Sequence, residues 1–472
     1  MVHAFSVARR LGSAALVLAT AGCATLSDDG GFGPVAADVL QRTGVQARWS
    51  RTAADRESVK ALVAQKLEHP LTPDDAVLIA LINNAGLQAS YADLGIAEAE
   101  LVRAGRLPNP RFSFSRISNS QSVEIERKFV VDIIGILLMP ITSKLEAGRF
   151  RATQTAVAGE ALRVAAETRR SYFTAVAASE SVRYYEQVQM AANASAELAR
   201  RMAAAGNWSQ LAQAREQVFY AEATAQLARA RQTALAERER LARLLGLGSD
   251  SSAIKLPERL PNLPASPRAG ANLKEQVLER RLDIRMARQG LEATGNALEL
   301  TNATRFVGVF DLAYKNKSDT GVPRQNGYEV ELEVPLFDWG ETKVAKAEAI
   351  YLQAVARLAE ATGNAQSEAR TAWGGYQTAY ELARHYREEV VPRRKKIAEE
   401  TLLRYNGMLL SVFELLADAR EQVMSVNAAI EATRDFWLAD ADLDAAIAGG
   451  TPIRDTAMVS RSTDTTSARA AH

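Results

Sequence analysis

Ala212-Gln213-Ala214-Arg215-Glu216-Gln217-Val218 returns 205 residues later as Ala417-Asp418-Ala419-Arg420-Glu421-Gln422-Val423. The apolar seam through the motif returns with it. Leu211, Ala214, Val218, Ala221, Ala225 and Ala228 answer to Leu416, Ala419, Val423, Val426, Ile430 and Thr433. Steps of three and four mark a helix packed lengthwise along neighbouring helices. A helical plan repeated at this distance divides the chain into two structural halves.

The first half opens at Thr72-Pro73-Asp74-Asp75, where a capping hydroxyl precedes proline and acids. This predicts a helix to about Arg103, with Leu87, Tyr91, Leu94 and Leu101 on one face, stopped by Leu107-Pro108-Asn109-Pro110. Phe112 and Phe114 then alternate with Ser113 and Ser115, and Val123 and Ile125 with Glu124 and Glu126. A period of two predicts strands, with Ser118-Asn119-Ser120 as their turn.

The second half keeps this order. A helix is predicted from about Leu273 to Asn302, then a strand over Arg305–Lys315 with Phe306, Phe310, Leu312 and Tyr314 on one face. A polar loop over Asn316–Asn326 leads to an unbroken alternation from Tyr328 to Val334. Pro140-Ile141 and Pro335-Leu336 close the hairpins 195 residues apart, the spacing that also relates Leu87 to Leu282 and Gly95 to Gly290.

Residues 143–205 read as one helix, about 95 Å long if continuous, and 341–406 as its counterpart, kinked or broken at Pro392. Gly206-Asn207 and Asn406-Gly407 mark the turns, the returning helices end near Leu247 and Ala446, and a Pro- and Ser-rich stretch over 248–270 links the halves. Phe129–Met139 is the most apolar run. It is too short to cross a bilayer as a helix, and fits either a membrane strand running into buried structure or ordinary core.

Each half offers one hairpin, hence four strands. Four strands cannot close a barrel alone, and membrane barrels have at least about eight. Three copies would supply twelve. A small soluble sheet packed on helices, its glutamates in water, satisfies the same alternation.

The 472 residues carry a net charge of +1, so no basic field argues for nucleic acid, and low aromatic content with abundant Ala, Glu, Gln and Arg favours long helices. Arg9 and Arg10 precede an apolar stretch from Leu11 to Ala19, then small residues lead to Cys23, the only cysteine. That is a secretory signal over residues 1–22. Thr20-Ala21-Gly22-Cys23 resembles a bacterial lipobox, with Thr20 where Leu or Val is commoner, and the resemblance makes Cys23 the lipidated first residue of the mature chain. Ordinary cleavage near Ala21 would leave a plain thiol. Residues 23–70 are expected to be a lipid-anchored, extended arm, 71–260 the first repeat with its hairpin over 111–139, 261–450 the second with its hairpin over 305–335, and 451–472 a disordered tail.

Leu87-Gln88-Ala89 to Leu107-Pro108-Asn109-Pro110, Val334-Pro335-Leu336-Phe337-Asp338-Trp339-Gly340, Val391-Pro392, Tyr405-Asn406-Gly407 and Phe413-Glu414-Leu415-Leu416-Ala417-Asp418-Ala419 occur in an order that resembles the TolC-like outer-membrane efflux channels, lipoprotein branch, from about residue 71 to 450. The resemblance implies an α+β membrane protein: a homotrimer with a twelve-stranded β-barrel in the outer membrane and a long α-helical barrel through the periplasm. It implies an inner-membrane transporter and a periplasmic adaptor as partners, and passage of drugs or heavy-metal ions without chemical change. It also implies that the helix turns farthest from the sheet form the closed end. There Glu414 and Asp418, four apart on one helix face, would form rings of carboxylates that select cations; a solvated helix face is the plain alternative.

No phosphate loop, zinc motif or nucleophile elbow is present, and the four histidines are scattered, so no enzyme, cofactor or metal is expected. Asp440, Asp442 and Asp444 lack the glycine and closing glutamate of a calcium loop and read as a solvated helix end. Arg393-Arg394-Lys395-Lys396 reads most simply as a wet helical surface, with adaptor contact in the tip region as the alternative. The competing function is a coiled-coil lipoprotein that bridges membranes or acts as an adaptor without forming a pore; it has no need of two matched hairpins.

Overall fold

The computed structural model describes residues 25–248, 250–270, 272–305, 310–332, 337 and 339–449. The signal, Cys23, Phe306, Val334-Pro335-Leu336 and the tail over 451–472 lie outside them. Helices α1 (Phe32–Thr43), α2 (Ala53–Leu67), α3 (Pro73–Asn83) and α4 (Ala85–Ala104) lead to strands β1 (Arg111–Ser118) and β2 (Val123–Asp132). Helices α5 (Ile133–Ala204) and α6 (Gln210–Leu244) complete the first half. The second half holds α7 (Leu273–Arg280), α8 (Leu282–Thr304), β3 (Phe310–Asp319), β4 (Val322–Leu332), α9 (Glu341–His385), α10 (Val391–Asn406) and α11 (Val412–Ala448).

Residues 25–70 are not an extended arm. Val35 and Val39 of α1, and Val59 and Val63 of α2, sit four apart and are buried. Thr52 and Asp55 cap α2 reciprocally, as Thr72 and Asp75 cap α3. The Thr-x-x-Asp spacing that predicts the α3 start is therefore present twice. Helix α1 packs on α5, and Asp38 pairs with both Arg42 (2.8 Å) and Arg285 of α8 (2.6 Å), which ties the N-terminal segment to the second half.

Both predicted entry helices are broken, at Asn84 and Arg281, where the backbone turns extended (ψ 118° and 126°). Each break receives the end of its own half's returning helix. The Asn83 and Asn84 amides donate to the Leu245 and Leu244 carbonyls (2.8 and 2.9 Å). Arg281 donates to the Ala446 carbonyl (3.0 Å). The returning helices stop on left-handed glycines, Gly246 (φ 69°) and Gly449 (φ 83°), and a Cβ on Gly246 would lie 2.4 Å from the Asn83 carbonyl oxygen. Exposed helix-end carbonyls need donors; here they interrupt another helix to obtain them.

The apolar run after Asp132 is helical, so the first hairpin ends at residue 132, not 139, and Pro140 lies inside α5. Asp132 caps that start by accepting from the Gly135 N–H at 2.7 Å. An all-apolar run has no period to read, and the cap decides it. Helix α5 is 72 residues long, about 108 Å. Its counterpart is split by a π turn over Tyr386–Val390, which sets Pro392 in the first turn of α10. The wider turn accommodates a ring that would otherwise press on the preceding carbonyls.

The main core lies midway along α5. Val157, Leu162, Tyr172 and Phe173 meet Val77 and Leu81 of α3, Tyr91 of α4, Leu241 of α6 and Leu245 just past its end. A second cluster, Tyr376, Tyr380, Phe436 and Leu443, joins α9 to α11, and Phe173 stacks on Trp437 between the two clusters (5.1 Å). The linker is strapped across this level: the Trp437 indole donates to the Pro261 carbonyl (3.1 Å), and Tyr380 donates to Pro264 (3.2 Å).

Asp440, Asp442 and Asp444 are not a solvated end. Asp440 and Asp444 both pair with Arg268 of the linker, and Asp442 pairs with Arg170 of α5 (3.0 Å). Burial pushes the Asp440 carboxyl up from 3.8 to about 6, with Asp444 adding to this against the pull of Arg268. A folded value above the unfolded one means that folding takes up a proton. The stability so gained is full below 3.8 and is lost as pH rises through about 6. The margin in melting temperature between the native chain and Asp440→Asn is expected to shrink as pH rises from about 4 to 7 by scanning calorimetry; a growing margin would mean that the Arg268 pair outweighs burial.

Candidate functional site

The strands form one antiparallel sheet in the order β1-β2-β3-β4. The polar stretch over 316–326 is not a loop. Strands β3 and β4 run through it to a turn at Thr320-Gly321, with Gly321 at φ 79°. Alternation fails there because both faces are polar: Asn316 opposes Asn326 and Lys317 opposes Gln325, and the Asn316 amide donates to the Asn326 side chain at 2.6 Å.

The register sorts the side chains by face. Phe112, Phe129, Tyr314 and Tyr328 lie in one row across all four strands, with Val131, Leu312 and Val330 in the row beside it. These large groups face solvent in the protomer: Tyr328 is 82% exposed, Phe112 65% and Val330 61%. The opposite face carries charge. Glu329 pairs with both Lys128 (2.9 Å) and Lys315 (2.6 Å), and Lys317 pairs with Glu124 (2.6 Å). An apolar face of this size, opposite an ion-pair ladder, is a surface made for two different environments.

Among the described residues the sheet has two open edges. β1 and β4 each have a partner on one side only there, and Pro323, which cannot donate to a ladder, lies in β4 at an edge. The helices show the same incompleteness. In the half that carries the tips, contacts run from α6 to α5, from α5 to α11, and from α11 to α9 and α10. Helices α6 and α9–α10 share no extensive contact among the described residues and end an arc, with side chains of α11 reaching α6 at Glu216 and Ala223 near the tips.

The repeated seam marks the gap. In α11 it is half-buried at Leu416, Val423, Val426, Ile430 and Thr433, and Val423 packs against Val188, Ala192 and Ala223. In α6, Leu211, Ala214, Val218, Ala221, Ala225 and Ala228 are all exposed. What the chain itself covers on this part of α6 is the adjacent stripe of Ala212, Glu216, Ala223 and Leu227.

A carboxylate in that buried stripe is a residue that motif reading misses. Glu216 is 3% exposed, accepts from the Ser195 hydroxyl (2.8 Å) and pairs with Arg420 of α11 (3.0 Å), whose guanidinium lies over the Phe219 ring at 4.5 Å. Its signal is a glutamate in step with apolar residues, inside the repeated motif itself. This trio joins the two halves near the tips. Arg420→Ala would leave Glu216 buried with one hydroxyl, at a cost of about 3 kcal/mol. Faster hydrogen exchange over residues 184–223 is expected; unchanged protection would remove Arg420 as a tie.

Glu414 and Asp418 lie at the start of α11, beyond the turn at Gly407. Glu414 is exposed but occupied: with Ser411 it forms a capping box, its carboxylate accepting from the Ser411 N–H (3.1 Å) and hydroxyl (3.0 Å). Asp418 is half-buried and makes no hydrogen bond or ion pair among the described residues. One turn apart, the two share a face, but only Asp418 has its charge uncommitted. The turn exposes Met408 (94%) and Leu409 (81%), with Met408 in the left-handed region at φ 58°. The opposite tip, Gly206-Asn207-Trp208-Ser209, carries no acid.

Among the described residues no helix is long and apolar enough to cross a membrane, and no three potential ligands cluster for a metal. Cys23 lies outside the described residues.

No protein-family model matches the sequence, and no curated protein does. Solved structures do. A membrane protein from Pseudomonas aeruginosa superposes with a TM-score of 0.68 at 19% identity, over 82% of this chain and 93% of its own. The outer-membrane channel OprN gives 0.67 at 18%, over 82% and 92%. The open state of the Neisseria gonorrhoeae MtrE outer membrane channel gives 0.66 at 18%, over 79% and 88%. The chain has the fold of these proteins, outer-membrane channels among them: long helices and a four-stranded antiparallel sheet, built as two repeats.

Proposed function

We propose that three copies of the chain close into an outer-membrane channel, the exit duct of an efflux system that receives cargo from an inner-membrane transporter through a periplasmic adaptor. The observation that carries this reading is the unfinished pseudo-symmetry. Within the chain, β2 of the first half pairs with β3 of the second, and the second half's return helix α11 packs on the first half's long helix α5. Among the described residues the reciprocal contacts are missing from both places: β4 has no β1 beside it, and the α6 seam has no α9–α10. A second copy supplies both at once, head to tail, an interface that gives a ring where its rotation closes.

Three copies give twelve strands, within the range of membrane barrels, whereas two would give only the smallest known. The apolar face with its tyrosine row then meets lipid, and the ion-pair ladder lines the pore. Helices about 108 Å long carry the wall away from the membrane, and Cys23, as a lipidated residue, anchors each chain to it. A bridging lipoprotein without a pore would leave the two-faced sheet and both of its edges unused.

At the far end, three Asp418 carboxylates would face one another, with Glu414 held beside them by Ser411. The exposed Met408 and Leu409 are the apolar contacts offered to an adaptor. Cargo, drug or metal ion, passes without chemistry. In planar bilayers the native trimer is expected to conduct cations in preference to anions, and Asp418→Asn with Glu414→Gln to lose that preference. A stable trimer that stays silent even with both residues replaced by Ala would end the channel reading. Labelled palmitate absent from Cys23 would remove the anchor alone.

A further inference from the structure

We propose that the acyl chains borne by Cys23 are seated, at their root, in an apolar groove at the foot of the sheet, between the end of α4 and the first turns of α5. The proposal rests on the reading of Cys23 as acylated and adds to it a binding site. The groove encloses about 690 Å³, within the range of small-molecule sites. Val102 and Leu107 line one wall, Leu138 and Met139 the other, and Arg103 stands at the rim. Leu26, 58% exposed and the second described residue of the chain, lines it as well.

The geometry restricts what can lie there. Just past Leu26, the Ser27 N–H donates to Glu98 Oε1 at 2.8 Å, and Glu98 is 7% exposed. The chain is thus pinned at the groove mouth. Cys23 precedes Leu26 by three residues, which span at most about 11 Å when fully extended. Any lipid on its sulfur therefore starts within reach of the groove.

The level in the fold fits the same occupant. β1 begins at Arg111 and β2 ends at Asp132, so the groove lies where the apolar sheet face meets the helical body. Leu107 (60% exposed), Leu137 (68%) and Ile141 (40%) continue the apolar surface around it. An anchor rooted here fixes the height of the sheet against the bilayer, which a loose tether would not.

The test uses the full-length chain in cells supplied with a diazirine-bearing palmitate analogue, irradiated in native membranes and digested for mass spectrometry. The Cys23 peptide should emerge joined, through its acyl chain, to peptides from 99–109 or 133–142 of the same chain. Leu138→Asp should abolish that product while Cys23 remains acylated. Acylation at Cys23 with crosslinks only to phospholipid, to other segments, or to a second copy would overturn the groove and leave the anchor standing. No acylation at Cys23 would overturn the anchor, and the groove's occupant with it.

Discussion

A chain with aspartate at both Val218 and Ala225 is expected to fold, keep its helicity, and fail to form the ring. Both residues are exposed in the protomer, outside the buried stripe of α6, so the substitutions leave the core of their own chain untouched. In the ring they would sit in the seam against the next copy. Burying one unpaired carboxylate costs several kcal/mol even after relaxation. A closed trimer repeats the interface three times, which places six such charges in contact with apolar partners. The loss in assembly should therefore exceed a thousandfold, and light scattering in detergent should report single chains. Circular dichroism separates this result from misfolding. If the doubly substituted protein remains trimeric, the seam is not an interface, and the assembly must close by other contacts.

Arg281→Met is expected to cost about 2–4 kcal/mol of stability. Arg281 is 2% exposed and, among its acceptors, holds Asp283 (2.6 Å), Glu368 of α9 (2.9 Å) and the last-turn carbonyl of Ala446 in α11 (3.0 Å). Methionine fills the space but leaves two carboxylates facing one another and a helix end without a donor. Asp283 and Glu368 keep part of their hydration, which holds the cost below that of a fully buried pair. Thermal melting followed at 222 nm should fall for Arg281→Met and recover in part for Arg281→Lys, which retains one charge but not the fork. A change equivalent to less than about 1 kcal/mol would assign the joint to Gly449 and apolar packing instead.

The equivalent joint in the first half is made by Asn83 and Asn84, two neutral amides. Duplication has thus kept the geometry and changed the chemistry. The repeat is visible in the residues, since Leu87 and Leu282 stand in register. That a helix breaks just before each of them is not. Nothing in Ile82-Asn83-Asn84 or Arg280-Arg281-Leu282 forbids a continuous helix, and the break exists because another helix ends there. The two helices of residues 25–70 are legible in principle, through Thr52 and Asp55 and the paired valines. Short helices make weak periodic signals, too weak here to displace the expectation of an extended arm.

The tips divide in the same way. Glu414 and Asp418 share a face by spacing alone, and the structure keeps them together. Spacing cannot tell that Glu414 serves its own helix through Ser411 while Asp418 is uncommitted. Glu216 is visible as a carboxylate in an apolar stripe, but its partner Arg420 lies 204 residues away.

Two halves, long helices, alternating hairpins, the seam and the turns are all written in the order of the residues. They depend on local period and on duplication, and so on interactions a few residues apart that composition and spacing record directly. Which of two adjacent apolar stripes on α6 is covered by the chain, and which is left open, is a matter of packing in three dimensions. Both stripes obey the same helical period. What separates them is the direction of α5, set by contacts far apart in the sequence.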